Sequence, residues 1–338
     1  MRRRWKKIRH RIEWLTLVGA TRIIPLLSRK ACHQFAQFTG ALAAQLDRHG
    51  RRVALANLAV VFGDTLSAGE RRKIVRESFQ YFARTMLDLF WSPRLTRDNF
   101  SKYVEFENLE PWLAEIRPGD PFILGCYHYS NFEWLSLAGG FLGYPSAIIA
   151  QEFKNPLLDS LFKDLREQSG HEMVSREGAI IRLYKALRRK KGVAILVDLT
   201  IPPKTPTVAI DCFGLKTSVT FAHAWLHQRS GAPIVMAHCE PLPEGRYRMV
   251  FHPKLELKPG ASLQEITQSC WDQFEPYVKQ NPAPWLWMYK HWRYRPEAAN
   301  PATYPFYANV SPDFEVRLAE SEHVSSDVKM EGGSAAVG

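Results

Sequence analysis

The chain is short of acid, with 34 Asp and Glu against 45 Lys and Arg in 338 residues and a net charge of +11. The shortage is uneven, because residues 311–338 hold six acids against two bases. Everything ahead of that tail is more basic still, and such a surface expects an anionic partner: phospholipid headgroups, nucleic acid or an acidic carrier protein. Paired cysteines are lacking too. Cys32, Cys126, Cys212, Cys239 and Cys270 are scattered, odd in number and without C-x-x-C spacing, which argues against a zinc site and for reduced thiols in a cytosolic setting. There is also no long clean apolar run. The best candidate, 12–27 (IEWLTLVGATRIIPLL), is short for a span and is interrupted by Glu13 and Arg22. It fits a segment lying in a membrane interface better than one crossing it. The basic start is followed by no small-residue cleavage site, so no secretory signal peptide is expected. No internal repeat is visible.

With 46% hydrophobic residues the chain can bury a sizeable core, as one large domain or two smaller ones. Seven Arg and Lys fall in the first eleven residues, a contact for anionic headgroups beside the apolar segment that follows, or alternatively a nucleic-acid arm. Residues 28–92 show apolar positions at helical spacing, with a capping box expected at Ser67 and Glu70. A connector at 96–108 leads to five strand candidates, at 122–127, 146–150, 193–197, 234–238 and 247–251. Helical stretches at 156–169, 179–190 and 218–230 alternate with them. This alternation predicts an α/β fold, a mixed, largely parallel sheet flanked by helices. The expected division is a basic and apolar membrane-associating segment at 1–30, a helical region at 31–108, an α/β domain at 109–298 that forms one domain with it, and an irregular, disordered tail at 299–338.

The stretch 121–134, PFILGCYHYSNFEW, carries the chemistry. It reads as a buried strand that runs into a polar turn and then a helix. His128 and Glu133 stand at that junction, five positions apart. In a continuous helix this offset puts two side chains roughly 140° apart, so the pair works best with His128 on the turn and Glu133 one turn inside the helix, capped by Ser130 or Asn131. Glu133 is then expected to reach one ring nitrogen of His128 and leave the other as a base. Such a base suits deprotonating an alcohol that the substrate brings, and open α/β sheets bind ligands at strand ends of this kind. Cys126, two residues ahead, reads as a small buried thiol rather than a nucleophile.

His128-Tyr129-Ser130-Asn131-Phe132-Glu133 resembles the His-X4-Asp/Glu box of the lysophospholipid acyltransferase superfamily. In its glutamate form, with the rest of the chain, it is similar to the lipid A late acyltransferases, the lauroyl and myristoyl transferases. The order Arg52, Ala54, Asn57, Leu58, Phe62, then Glu70, Arg71 and Ile74 resembles that family's N-terminal helical region. Asn155 to Asp159 with Arg166 resembles the segment after its second strand. There the family usually carries an arginine where this chain has Gln151, and Arg176 is the nearest candidate replacement. Asp198 matches the first acid of an Asp-x-Asp-like element, able to bind a hydroxyl, orient a base or cap a turn. Cys212-Phe213-Gly214 with Thr217 and Thr220 looks like the family's Phe-Phe-Gly loop. The run 284–296, PWLWMYKHWRYRP, is similar to the tryptophan-rich, arginine-containing close of its core. By composition that run suits a membrane interface, an anionic headgroup or stacking on single-stranded nucleic acid. The resemblance favours the membrane and no nucleic acid.

The resemblance therefore implies a glycerol-phosphate-acyltransferase-like fold and a peripheral or monotopic enzyme on the cytoplasmic face of the inner membrane, acting in lipopolysaccharide biosynthesis. It implies acyl transfer from acyl carrier protein to a hydroxyl of a lipid A precursor, with His128 and Glu133 catalytic and no metal or cofactor. Asp198, Arg176, Gly214, Phe213 and Asn131 are the candidate substrate-binding residues, and Phe132, Trp134, Leu135 and Phe213 the expected walls of an acyl slot. Within the class, the alternative is a glycerolipid or aminolipid O-acyltransferase using acyl carrier protein or acyl-CoA. Outside it, the alternative is a non-catalytic basic membrane-binding protein.

Overall fold

The computed structural model describes residues 2–150 and 153–323. Four helices come first: α1 (Arg2–Ile23), α2 (Arg29–Leu46), α3 (Arg48–Phe62) and α4 (Ala68–Trp91). α2 buries a line of small residues, Cys32, Ala36, Gly40 and Ala44, four apart and so on one face. Against α4 that face comes very close: a Cβ on Gly40 would stand 2.4 Å from the Gln80 Cα. The opposite face of α2 leaves Phe35, Phe38, Leu42 and Leu46 exposed, and α1 exposes Trp5, Ile8, Ile12 and Leu15. Among the described residues no helix is long and apolar enough to cross a membrane. The Ser67–Glu70 capping box starts α4 as the spacing implies.

The α/β part interleaves β1 (Val104–Glu107), α5 (Glu110–Leu113), β2 (Ile123–Cys126), α6 (Phe132–Phe141), β3 (Ser146–Ala150), α7 (Leu157–Glu167), β4 (Glu172–Ser175), α8 (Ala179–Arg188) and β5 (Gly192–Leu196). A hairpin of β6 (Val208–Cys212) and β7 (Leu215–Val219) follows, then α9 (Ala222–Ser230), β8 (Ile234–Pro241), β9 (Tyr247–Phe251) and α10 (Leu263–Gln280). The seven-stranded sheet has the order β1-β9-β8-β2-β5-β3-β4. β8, β2, β5, β3 and β4 run parallel, and β9 with β1 runs against them. The expected mixed, largely parallel sheet is therefore present.

Strand alternation divides the core in two. Ile123, Val193 and Ile234 face one cluster together with α8, α9 and α10, while Leu124, Ala194 and Val235 face the other with α6 and α7. The connector at 96–108 contains β1, a short edge strand whose apolar content is too small to stand out. The helix expected at 218–230 begins at Ala222, because Leu215–Val219 pairs with Val208–Cys212. The tail expected to be irregular from 299 instead pairs β10 (Tyr294–Arg295) with β11 (Asn309–Val310) and continues into α11 (Pro312–His323). Phe314, wholly buried, ties it to the body. The remainder of the tail lies outside the described residues. All five cysteines are buried and unbridged.

Candidate active site

The connections of two adjacent strands leave in opposite directions. β2 passes through α6 to β3, crossing β5, and β5 passes through the hairpin and α9 to β8, crossing β2. A crevice opens at the carboxyl ends of such a pair. Register then places specific residues there. Cys126 lies beside Leu196, so two residues further on His128 comes beside Asp198.

The two are joined twice. His128 Nδ1 lies 2.8 Å from Asp198 Oδ1, and the His128 backbone N–H donates to Asp198 Oδ2 at 3.0 Å. The Trp285 indole N–H donates to the same oxygen at 3.0 Å. Burial opposes the charge on Asp198, but His128, His291 and the Trp285 donor outweigh it and hold the carboxyl below the usual carboxylate range. An ionised carboxylate only accepts, so Nδ1 carries the hydrogen and Nε2 carries the lone pair. Nε2 has no hydrogen-bond partner among the described residues, and the His128 side chain keeps 11% of its surface exposed. Phe132 flanks the ring edge-on at 4.9 Å between centroids.

The turn that presents His128 is held from several sides. Ser130 sits at φ +50°, the left-handed region that β-branched residues avoid. Its N–H donates to Pro284 O, and its carbonyl accepts from the Thr85 hydroxyl. Asn131 then caps α6, accepting from Trp134 N at 3.0 Å and donating to Asp88 at 3.1 Å. With both ends of its amide engaged and no surface exposed, Asn131 serves as the cap. Asp88 also accepts from Arg29 at 2.6 and 3.0 Å and from the Tyr247 hydroxyl at 2.5 Å.

Glu133 does not meet His128. It is buried in the first turn of α6, and Arg166 of α7 donates to both its oxygens, Nε at 3.0 Å and Nη2 at 2.5 Å. Burial works against the charge on Arg166, and Glu133 overcomes it, keeping the guanidinium protonated. The orienting carboxylate of the box histidine is thus Asp198. Glu133 points instead toward α7, where Arg166 holds it.

The remaining candidates are dispersed. Arg176 is exposed on the loop after β4. It stands near enough to oppose the burial that raises the Tyr289 hydroxyl's pKa, and that hydroxyl donates to Thr200 O. Gln151 lies outside the described residues. Phe213 and Gly214 form the β6–β7 turn at φ +50° and +79°, where a glycine is at home. Phe213 packs against Trp271 and Trp285, in the cluster opposite to the one that holds Trp134 and Leu135. These residues therefore do not form a single slot. Trp285, Trp287 and Trp292, expected at a membrane interface, are completely buried. Trp285 stacks on His291 at 3.9 Å behind Asp198. Burial raises the Cys126 thiol's pKa, with Asp198 and Glu133 adding to it, so this cysteine is no nucleophile.

Trp285 and Asp88 escaped the sequence reading. Trp285 was hidden in an aromatic run that read as interfacial, and Asp88 had no local pattern around it. An open groove of about 970 Å³ runs along α1, lined by Trp5, Ile8, Ile12, Leu17 and Leu158 with Lys6 and Arg9 beside them. Leu158, Phe162 and Arg166, four apart on α7, lead from this groove toward Glu133.

A family model described as bacterial lipid A biosynthesis acyltransferase matches residues 1–294. No individual curated protein matches the chain.

Proposed function

The chain belongs to the bacterial lipid A biosynthesis acyltransferase family, and from that premise we propose that it moves a fatty acyl group from an acyl carrier protein thioester to a hydroxyl of a lipid A precursor. The observation that carries the mechanism is His128, fixed on Asp198 through Nδ1 with Nε2 open to the crevice. Nε2 takes the proton of the acceptor hydroxyl as its oxygen attacks the thioester carbonyl. The imidazolium so formed is stabilised by Asp198. When the tetrahedral intermediate collapses, the C–S bond breaks and the thiolate leaves with the proton returned from Nε2.

Negative charge develops on the carbonyl oxygen, and preorganised cations there supply the largest catalytic gains. Arg166 suits that role. Glu133 fixes its plane through Nε and Nη2 and leaves Nη1 to donate. Glu133 thereby becomes a positioning residue for a cation rather than for the base. The α1 groove, apolar and flanked by Lys6 and Arg9, suits the chains and anionic headgroup of the lipid. With the exposed apolar faces of α1 and α2, it supports a peripheral seat on the cytoplasmic face of the inner membrane. The basic surface suits an acidic donor carrier.

The test is acyl transfer from acyl carrier protein to a lipid A precursor by purified enzyme. General-base loss costs about 10²–10⁴-fold, so folded His128→Ala is expected to fall by that factor, and Glu133→Ala to lose most of its turnover. Mass spectrometry of membrane lipids with and without the protein identifies the acceptor. A folded His128→Ala enzyme that turns over like the parent would sink the mechanism.

A further inference from the structure

We infer that the outer face of α8 is the surface on which the acidic acyl-carrier donor docks; this rests on the carrier-donor reading above. α8 turns Leu183, Ala186 and Leu187 inward to the core. Outward it presents Arg182, Lys185 and Arg188, followed directly by Arg189, Lys190 and Lys191, all exposed. The helix contains no acid. Among the described residues only Lys191 of this group has an ion-pair partner, Glu172 at 2.9 Å. Cations three and four apart on one helix face repel each other, and among the described residues no carboxylate pairs with Arg182, Lys185 or Arg189. By contrast Arg9 pairs with Glu13, and Lys279 with Glu275, at four-residue spacing. Ile181, 40% exposed among these charges, adds a small apolar contact of the kind found inside polar interfaces.

The position fits the chemistry. α8 begins beside the carboxyl end of β4, on the same sheet edge as His128 and Asp198, with Arg176 between. β4 lies three strands from β2, about 14 Å across at normal strand spacing. α8 runs back from that edge toward the start of β5, so Arg182 stands nearest the site and Arg189 about 10 Å further along the helix. A carrier bound along α8 spans that gap with its flexible thioester arm, while the lipid approaches from α1. The α1 groove opens beside α7, which packs on the opposite face of the sheet from α8. Donor and acceptor then reach one base from two sides without competing for surface.

The experiment compares one acyl group presented on acyl carrier protein and on pantetheine alone, using full-length parent enzyme and the triple variant Arg182→Glu/Lys185→Glu/Arg189→Glu. The expected result is a KM for the carrier-borne donor raised at least about tenfold, with kcat and the pantetheine reaction unchanged. The rise of that KM with salt in the parent should be lost in the variant. Lys185→Glu alone, the mildest change, should give part of the effect if the triple variant folds poorly. A carrier KM unchanged in both variants overturns the inference. So does a variant that slows both donors equally and releases the enzyme from anionic phosphatidylglycerol vesicles, which would make α8 a lipid contact. A parent enzyme that takes acyl-pantetheine as readily as acyl carrier protein would instead refute the donor reading itself.

Discussion

Arg166 is the residue whose part changes most between sequence and structure. Its guanidinium grips both oxygens of Glu133, a fork that lysine cannot reproduce. Arg166→Lys keeps the charge and loses the plane. If the remaining donor meets the developing oxyanion, kcat should fall about 10²-fold, with the donor KM little changed. Steady-state kinetics with one acyl donor decide it, and a kcat within twofold of the parent removes Arg166 from the reaction. At this scale the sequence was legible where the chemistry is local. His128 and Glu133 stand out by spacing, and their turn-and-helix placement follows from the polar residues between them. Asp198 was legible as an acid able to orient a base and Arg166 as part of a family segment, but their pairing with His128 and Glu133 was not, because both reach the box from other strands and helices. Composition does not say which carboxylate faces which nitrogen.

Among the elements, α2 shows how a helix with little to bury can still be fixed firmly. It is attached by close approach at Gly40 and by Arg29, whose ion pair with Asp88 reaches the residue that also holds the cap of α6. Gly40→Leu puts a side chain against the Gln80 backbone, which cannot yield, so α2 must move outward. Overpacking of this kind costs about 1–3 kcal/mol, and the shift should disturb Asn131 through Arg29 and Asp88. Urea unfolding and transfer assays should both show the loss, and an unchanged midpoint would mean that α2 is not seated as described. Four of the five parallel strands, β2, β3, β5 and β8, were readable as apolar runs, since burial on both faces leaves them few polar positions. β1, β4 and the β6–β7 hairpin were not, because their residues are mixed and their places are set by pairing partners distant in sequence.

The whole molecule carries an acid sensitivity set by its buried histidines. Burial lowers the pKa of His223 to about 4, of His291 to about 4 and of His252 to about 3. These rings stay neutral in the native state, while the unfolded chain takes up protons near pH 6.5. The unfolded state thus binds more protons as the pH drops from about 6.5 toward 4, and stability falls over that window, by up to about 1.4 kcal/mol per pH unit for each proton. Neither nitrogen of His223 has a hydrogen-bond partner among the described residues. His223→Leu should therefore flatten the acid limb by one proton without affecting transfer, measured by urea titration at pH 7, 6 and 5; an unaltered slope would show that His223 is already charged in the fold. The catalytic pair carries a different kind of vulnerability. His128 and Asp198 meet because each stands two residues beyond a registered strand end, so their encounter is a matter of counting. Beyond Asp198 the chain is tied down at Thr200 and Ile201 by the hairpin, so the count is kept on that side as well. One residue gained or lost inside β2 or β5 turns the imidazole or its carboxylate to the opposite side of the sheet, and a descendant lineage can drift in length only where the count is not kept.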